Sequence, residues 1–282
     1  MARALFRIAL PDGQRVWANG DTESGPSRQF SPEVLLAEAL SQGPAALAAL
    51  AESDANVELH PDARIVAPIE DQDVWAAGVT YLRSRDARMA ESASATVYDR
   101  VYESVRPELF FKDRGSRVRG PGERVGIRAD SSWDVPEPEL TLVVTAAGEI
   151  AGYTIGNDMS SRSIEGENPL YLPQAKLYAG ACALGPCIVP VADAQLPLAI
   201  SVAIHRGTAE IYRDSTSTAN LARRLDDLVE HLLRALPQPG GVFLLTGTGI
   251  VPDDGVTLQD GDVVTISVEG IGELRNVVEV VG

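Results

Sequence analysis

The chain has 282 residues, enough for one large domain, or a large one with a small partner, around a real core. It is 45% hydrophobic and 23% charged, as soluble globular enzymes are. A formal net charge of −16 argues against nucleic acid or an anionic membrane as partner, so an anionic substrate must be held by local cations or by a metal.

In chain order, "LFRIAL" and "QRVWANG" flank Pro11-Asp12-Gly13 and predict a hairpin. Ser31 before Pro32 marks a helix start for "PEVLLAEAL", and "PAALAALAES" predicts a second short helix ending near Asp54. Residues 1–68 are thus expected to form a small α/β domain, followed by a larger, catalytic one at 69–282. "YLRSRDARMAESA" and "TVYDRVYESV" predict helices, and "ELFFKD" a strand. "ELTLVVTAAGEIAGYTIGND" predicts two strands about a tight turn, and "LAISVAIHRGTAEIYRDSTST" a further strand-rich stretch. "ANLARRLDDLVEHLLRAL" is strongly amphipathic, and strands close the chain. Strands outnumber long helices and no βαβ rhythm is visible. The expected fold class is α+β, with a mixed, mostly antiparallel β core.

Cys182 and Cys187 read as small core residues of a reducing compartment. Arg7 and the Pro11 turn break the first apolar run, so no signal peptide is expected. No stretch approaches a membrane span, and the cytoplasm is the expected location. Of 24 basic residues only Lys112 and Lys176 are lysines. Lysine can act as acid or base near neutral pH, whereas arginine stays protonated.

The stretch "DVPEPEL", residues 134–140, places two glutamates two apart, each behind a proline. A residue before proline is held extended, and in extended chain residues i and i+2 share a face. Centring the following turn on Ala147-Gly148 sets Glu137 opposite Asp158, about 5 Å away on the same face. An E-x-E alone reads as a solvated strand edge. With the prolines and the matched Asp158, the three carboxylates predict a site for a hard cation: Mg²⁺, with Mn²⁺ or Ca²⁺ as alternatives.

Glu137, Glu139 and Asp158, with "GNDMSSR", a downstream "AK" pair, "LLTGTGI" and "LQDGDVVTISVEGIGELRN", resemble the fumarylacetoacetate hydrolase superfamily over roughly residues 70–282. The resemblance implies a β-rich fold around Mg²⁺ or Mn²⁺ held by three carboxylates. It also implies a small 2-keto acid substrate and a homo-oligomer, dimer or tetramer. Hydrolases and decarboxylases of the family carry a Y-x-x-H-x-x-E lid. Here the matching stretch is "YLRSRDA", with Ser84 at the histidine and Ala87 at the glutamate. His60, His205 and His231 fall elsewhere and are expected to be structural. "GVTYLRSRDAR", "YDRVYESVRPELFFK", "DSSWDVPEPEL" and "SIEGENPLYLPQAK" resemble the sugar-acid branch, whose best-known activity dehydrates 2-keto-3-deoxy-D-arabinonate to 2,5-dioxopentanoate.

That resemblance implies Lys176 as base at C3, with a salt bridge to the carboxylates as its alternative, and Glu108 as the group that exchanges a proton with the departing hydroxyl, with a surface place before a strand as its alternative. Lys112 is expected to pair with a ligand carboxylate and hold it in place. Ser84, Arg85 and Arg88 lie where a lid would meet substrate. Glu165, Glu167 and Asn168 would bind hydroxyls or shape their turn, and Thr248 in "TGTG" would donate to the substrate carboxylate. The alternatives are a hydrolase or decarboxylase of the same family, and a catalytically silent metal-binding member.

Overall fold

The computed structural model describes residues 1–83 and 101–282. All but the first three residues of the helix expected from Tyr81, and the first half of the one after it, lie outside these residues, as do Ser84, Arg85 and Arg88.

Five strands and two helices come from the first 66 residues. The strands are β1 (Arg3–Ala9), β2 (Arg15–Asp21), β3 (Gly25–Gln29), β4 (Val57–Glu58) and β5 (Arg64–Val66). The next are β6 (Asp73–Gly78), β7 (Glu108–Arg114), β8 (Arg124–Arg128), β9 (Asp134–Val135), β10 (Pro138–Val144), β11 (Ile150–Asp158) and β12 (Ser160–Ser161). The last six are β13 (Cys182–Pro190), β14 (Ala199–Arg206), β15 (Ala209–Ser217), β16 (Val242–Leu245), β17 (Val263–Val268) and β18 (Gly272–Val281).

One large sheet runs β4-β3-β2-β1-β13-β11-β10-β16-β6-β7, with β5 alongside β1. A smaller sheet runs β15-β14-β17-β18-β8. Among the described residues, β16–β6 and β18–β8 pair in parallel and the other pairs are antiparallel. The fold is α+β and strand-rich, as expected. Leu5 of β1 pairs with Ile188 of β13, so the sheet continues across residue 68.

Alternation along β10 shows how the core is built. Leu140, Leu142 and Val144 face the smaller sheet, where they meet Val202, Ile204, Ile266 and Leu274. The Leu225–Leu233 helix adds Leu228, Val229 and Leu232 to that layer. Val143 faces the other way, into a cluster with Phe243, Leu245, Ala76, Leu40 and Leu47. With both faces covered, β10 is buried at every position.

Two helix boundaries differ from expectation. The first helix begins at Leu36, not at Pro32, because Glu70 supplies its cap from afar by accepting from Leu36 N (2.9 Å) and Ala37 N (3.2 Å). The amphipathic helix begins at Leu225, not near Ala219. Ahead of it, Leu221 bridges to Tyr81 and Ala222 N donates to Thr80 O, so that backbone is already used.

The β10–β11 hairpin sets Asp158 opposite Glu137, but by another route than the one expected. The turn holds three residues, 146–148, closed by Thr145 N to Glu149 O and with Gly148 at φ 85°. That alone would displace every later pair by one. A bulge between Val143 and Val144 restores the register, and Pro138 pairs with Asn157, Glu139 with Gly156. Asp158 N then donates to Glu137 O at 3.0 Å.

Candidate active site

The site forms where β10 and β7 begin and β11, β16 and β6 end. All five meet at one end of the large sheet. Glu137, Glu139 and Asp158 come together there, with one oxygen from each lying within 4.8 Å of the others, and all three residues are buried. The prolines keep the strand entry extended, so both glutamates aim at the end of β11.

Three buried cations surround the carboxylates. Lys176 Nζ donates to Glu137 Oε2 (2.7 Å), Asp158 Oδ2 (3.1 Å) and Ser160 Oγ (2.6 Å). Lys112 Nζ lies 2.5 Å from Asp158 Oδ1 and donates to Met159 O (2.9 Å) and Lys176 O (2.5 Å). Arg162 Nη2 lies 3.0 Å from Glu137 Oε1. The chain's two lysines therefore meet on the two oxygens of one aspartate. An ammonium is compact enough to reach three acceptors in a closed space, which a planar guanidinium is not.

Glu139 differs from its neighbours. It accepts from Gly247 N (2.6 Å), and among the described residues no cation lies within ion-pair distance of it. Its carboxyl is pushed well above the usual carboxylate range, by burial first and then by the charges of Asp158 and Glu137. Burial and the charge of Glu139 likewise raise the Tyr81 phenol. A buried all-oxygen triad with one carboxylate lacking a counter-charge fits a hard divalent cation. Glu137, Glu139 and Asp158 would hold it.

Glu137, Asp158, Lys176, Glu108, Phe110, Arg162, Glu165, Gly78, Val79 and Thr248 line a pocket of about 20 Å³, room for one ion or water. Strand alternation puts Glu108, Phe110 and Lys112 of β7 on the site face, and Lys176 Nζ stands 5.6 Å from the Phe110 ring centroid. Val79 bounds the pocket at φ 53°. That conformation costs a β-branched residue about 1–3 kcal/mol, the kind of strain that gathers at functional sites. Gly247, at φ 89°, lies so close to Thr80 that an added Cβ would overlap its hydroxyl. That approach brings the Gly247 N–H onto Glu139.

The remaining expected contacts divide. Glu165 is buried and reaches the pocket. Asn168 instead shapes its turn, its Oδ1 accepting from Leu170 N (2.9 Å), and Glu167 is exposed. Thr248 lines the pocket, but its hydroxyl is engaged with Ile250 N (3.1 Å) and O (3.2 Å). His60, His205 and His231 lie outside the pocket lining. Sequence reasoning missed Ser160 and Arg162, although both stand inside "GNDMSSR". Arg162 is 2% exposed, and that burial beside acids is what marks it functionally.

Residues 74–279 match the family model described as "Fumarylacetoacetate (FAA) hydrolase C-terminal". The chain is 48% identical over 239 residues to the Haloferax volcanii protein "Probable 2-keto-3-deoxyxylonate dehydratase", covering 83% of this chain and 82% of that one. It is 42% identical over 219 residues to the 2-dehydro-3-deoxy-D-arabinonate dehydratase of Saccharolobus solfataricus, covering 76% and 74%. A solved structure of 2-keto-3-deoxy-D-arabinonate dehydratase complexed with magnesium and 2,5-dioxopentanoate superposes with TM-score 0.85 at 33% identity, over 99% of both chains. The likeness spans the sheet that carries the acidic triad, and the chain belongs to the fumarylacetoacetate hydrolase family.

Proposed function

We propose that the protein is a magnesium-dependent dehydratase that converts a 2-keto-3-deoxypentonate into 2,5-dioxopentanoate. The observation that carries this reading is the pocket itself. It sets a buried carboxylate triad beside a lysine and a glutamate, with no histidine in its lining to activate water. The dehydratase relatives support the same chemistry.

A bound divalent cation supplies positive charge to offset the negative charge that develops when a proton leaves the carbon beside a ketone. The protein's own groups do the rest. Lys176 takes the C3 proton, and the electrons left behind form the C3–C4 double bond as the C4–O bond breaks. The hydroxyl leaves as water with a proton from Glu108. Both groups are reset when the Glu108 carboxylate takes a proton from C5 and Lys176 returns its own to C3, which leaves an enol across C4 and C5; transfer of the C5 hydroxyl proton to C4 then gives the aldehyde at C5. Lys112 fixes Asp158, Ser160 holds the Lys176 ammonium, and Arg162 holds Glu137.

Among the described residues no helix is long and apolar enough to cross a membrane. Two buried free cysteines support a reducing, cytoplasmic setting. The expected assembly is a homo-oligomer, dimer or tetramer, which light scattering will count. The test of function is a panel: epimeric 2-keto-3-deoxypentonates, acylpyruvates and oxaloacetate, each with Mg²⁺. The expected result is a trappable aldehyde from a pentonate. Rapid carbon–carbon cleavage of the other substrates, with no dehydration, would overturn it.

A further inference from the structure

We infer that Gly78 is the positioning residue for Glu108. Gly78 closes β6 and pairs directly with Glu108, the first residue of β7. Paired residues share a face, so a side chain at position 78 would occupy the space beside Glu108. A Cβ built on Gly78 would overlap Glu108 Oε2 and lie 2.7 Å from Cδ and 3.3 Å from Cγ. The carboxylate thus lies across the Gly78 α-carbon, inside the pocket that also holds Lys176 and Asp158.

Conformational freedom does not account for this glycine. Gly78 is not among the positive-φ residues, and its backbone is ordinary strand that alanine can adopt. Glycine weakens a strand interior, and one kept there marks close approach by another group. The group here is Glu108, a flexible side chain that can swing aside if the space is filled. Gly78→Ala is therefore a gentle way to move one carboxylate. The three atoms nearest that Cβ all belong to Glu108. Val79 follows at φ 53° and turns the chain away, so β6 ends beside this carboxylate.

The inference rests on the reading of Glu108 as the acid for the departing hydroxyl. Three proteins test it: Gly78→Ala, Glu108→Gln and the double variant, each with Mg²⁺ and a 2-keto-3-deoxypentonate. Dehydration by Gly78→Ala should fall by about 10²-fold, the low end for loss of a general acid. Exchange of the C3 hydrogen in D₂O, magnesium affinity and melting temperature should stay at parent values. In the Glu108→Gln background, Gly78→Ala should slow dehydration no further, because both changes act on the same group. A merely structural role would lower melting temperature and C3 exchange as well, and its effect would add to that of Glu108→Gln. If Glu108→Gln is slow and Gly78→Ala is as fast as the parent, the inference about Gly78 fails. If the parent dehydrates no keto acid, or Glu108→Gln matches it, the functional reading beneath fails instead.

Discussion

Lys112→Met replaces a buried ammonium by an uncharged chain of similar length. Lys112 is fully buried, and its Nζ serves Asp158 Oδ1 at 2.5 Å and two backbone carbonyls. No water can take over these contacts without opening the core. Removing one partner of a buried ion pair costs about 3–5 kcal/mol, because the other charge is left uncompensated. At about 2–4 °C per kcal/mol for a chain of this size, the melting temperature should fall by roughly 6–20 °C. Lys112→Arg keeps the charge but overfills the space, at a further cost of about 1–3 kcal/mol, and should not restore the parent value. Differential scanning calorimetry of metal-free protein measures both. A Lys112→Met protein melting within about 2 °C of the parent would refute the clamp.

Lys176→Arg should keep bound metal yet lower C3 hydrogen exchange by about 10²–10⁴-fold, since guanidinium stays protonated; exchange at the parent rate would remove Lys176 as the base. Burial lifts the Asp134 carboxyl to about 6 from an ordinary 3.8. The folded protein therefore keeps a proton that the unfolded chain releases, so stability falls as pH rises from about 4 to about 6 and stays reduced above that. Asp134→Asn should regain on the order of 2 kcal/mol at pH 7 and little at pH 4, by chemical denaturation; an equal change at both pH values would contradict this. Glu139→Gln should lose most magnesium affinity by isothermal titration while still folding, because among the described residues Glu139 makes no ion pair that the change would break; unchanged affinity would exclude it as a ligand.

Much of the site was legible because it is built on strand alternation. Two prolines, a two-residue repeat and one pairing register bring Glu137, Glu139 and Asp158 together on paper. The register itself came out right although the turn was misjudged, since a three-residue loop and a bulge offset one another. Local pattern cannot reveal two compensating irregularities. The helix boundaries at Leu36 and Leu225 were illegible for a related reason: both depend on partners far along the chain, Glu70 in one case and Thr80 and Tyr81 in the other. Gly78 and Arg162 gave no sign for the same reason. A glycine's meaning lies in what occupies the space it leaves, and one arginine of 22 stands out only once it is buried.

Magnesium titration of metal-stripped protein, followed as dehydration of a 2-keto-3-deoxypentonate, tests the central claim most directly. Turnover should be absent after chelation and return with Mg²⁺, saturating at one ion per chain. It should fail to return when Glu137, Glu139 or Asp158 is replaced by its amide. Full turnover in chelator, or restoration in all three variants at the parent's magnesium concentration, would contradict a metal-dependent dehydratase built on this triad.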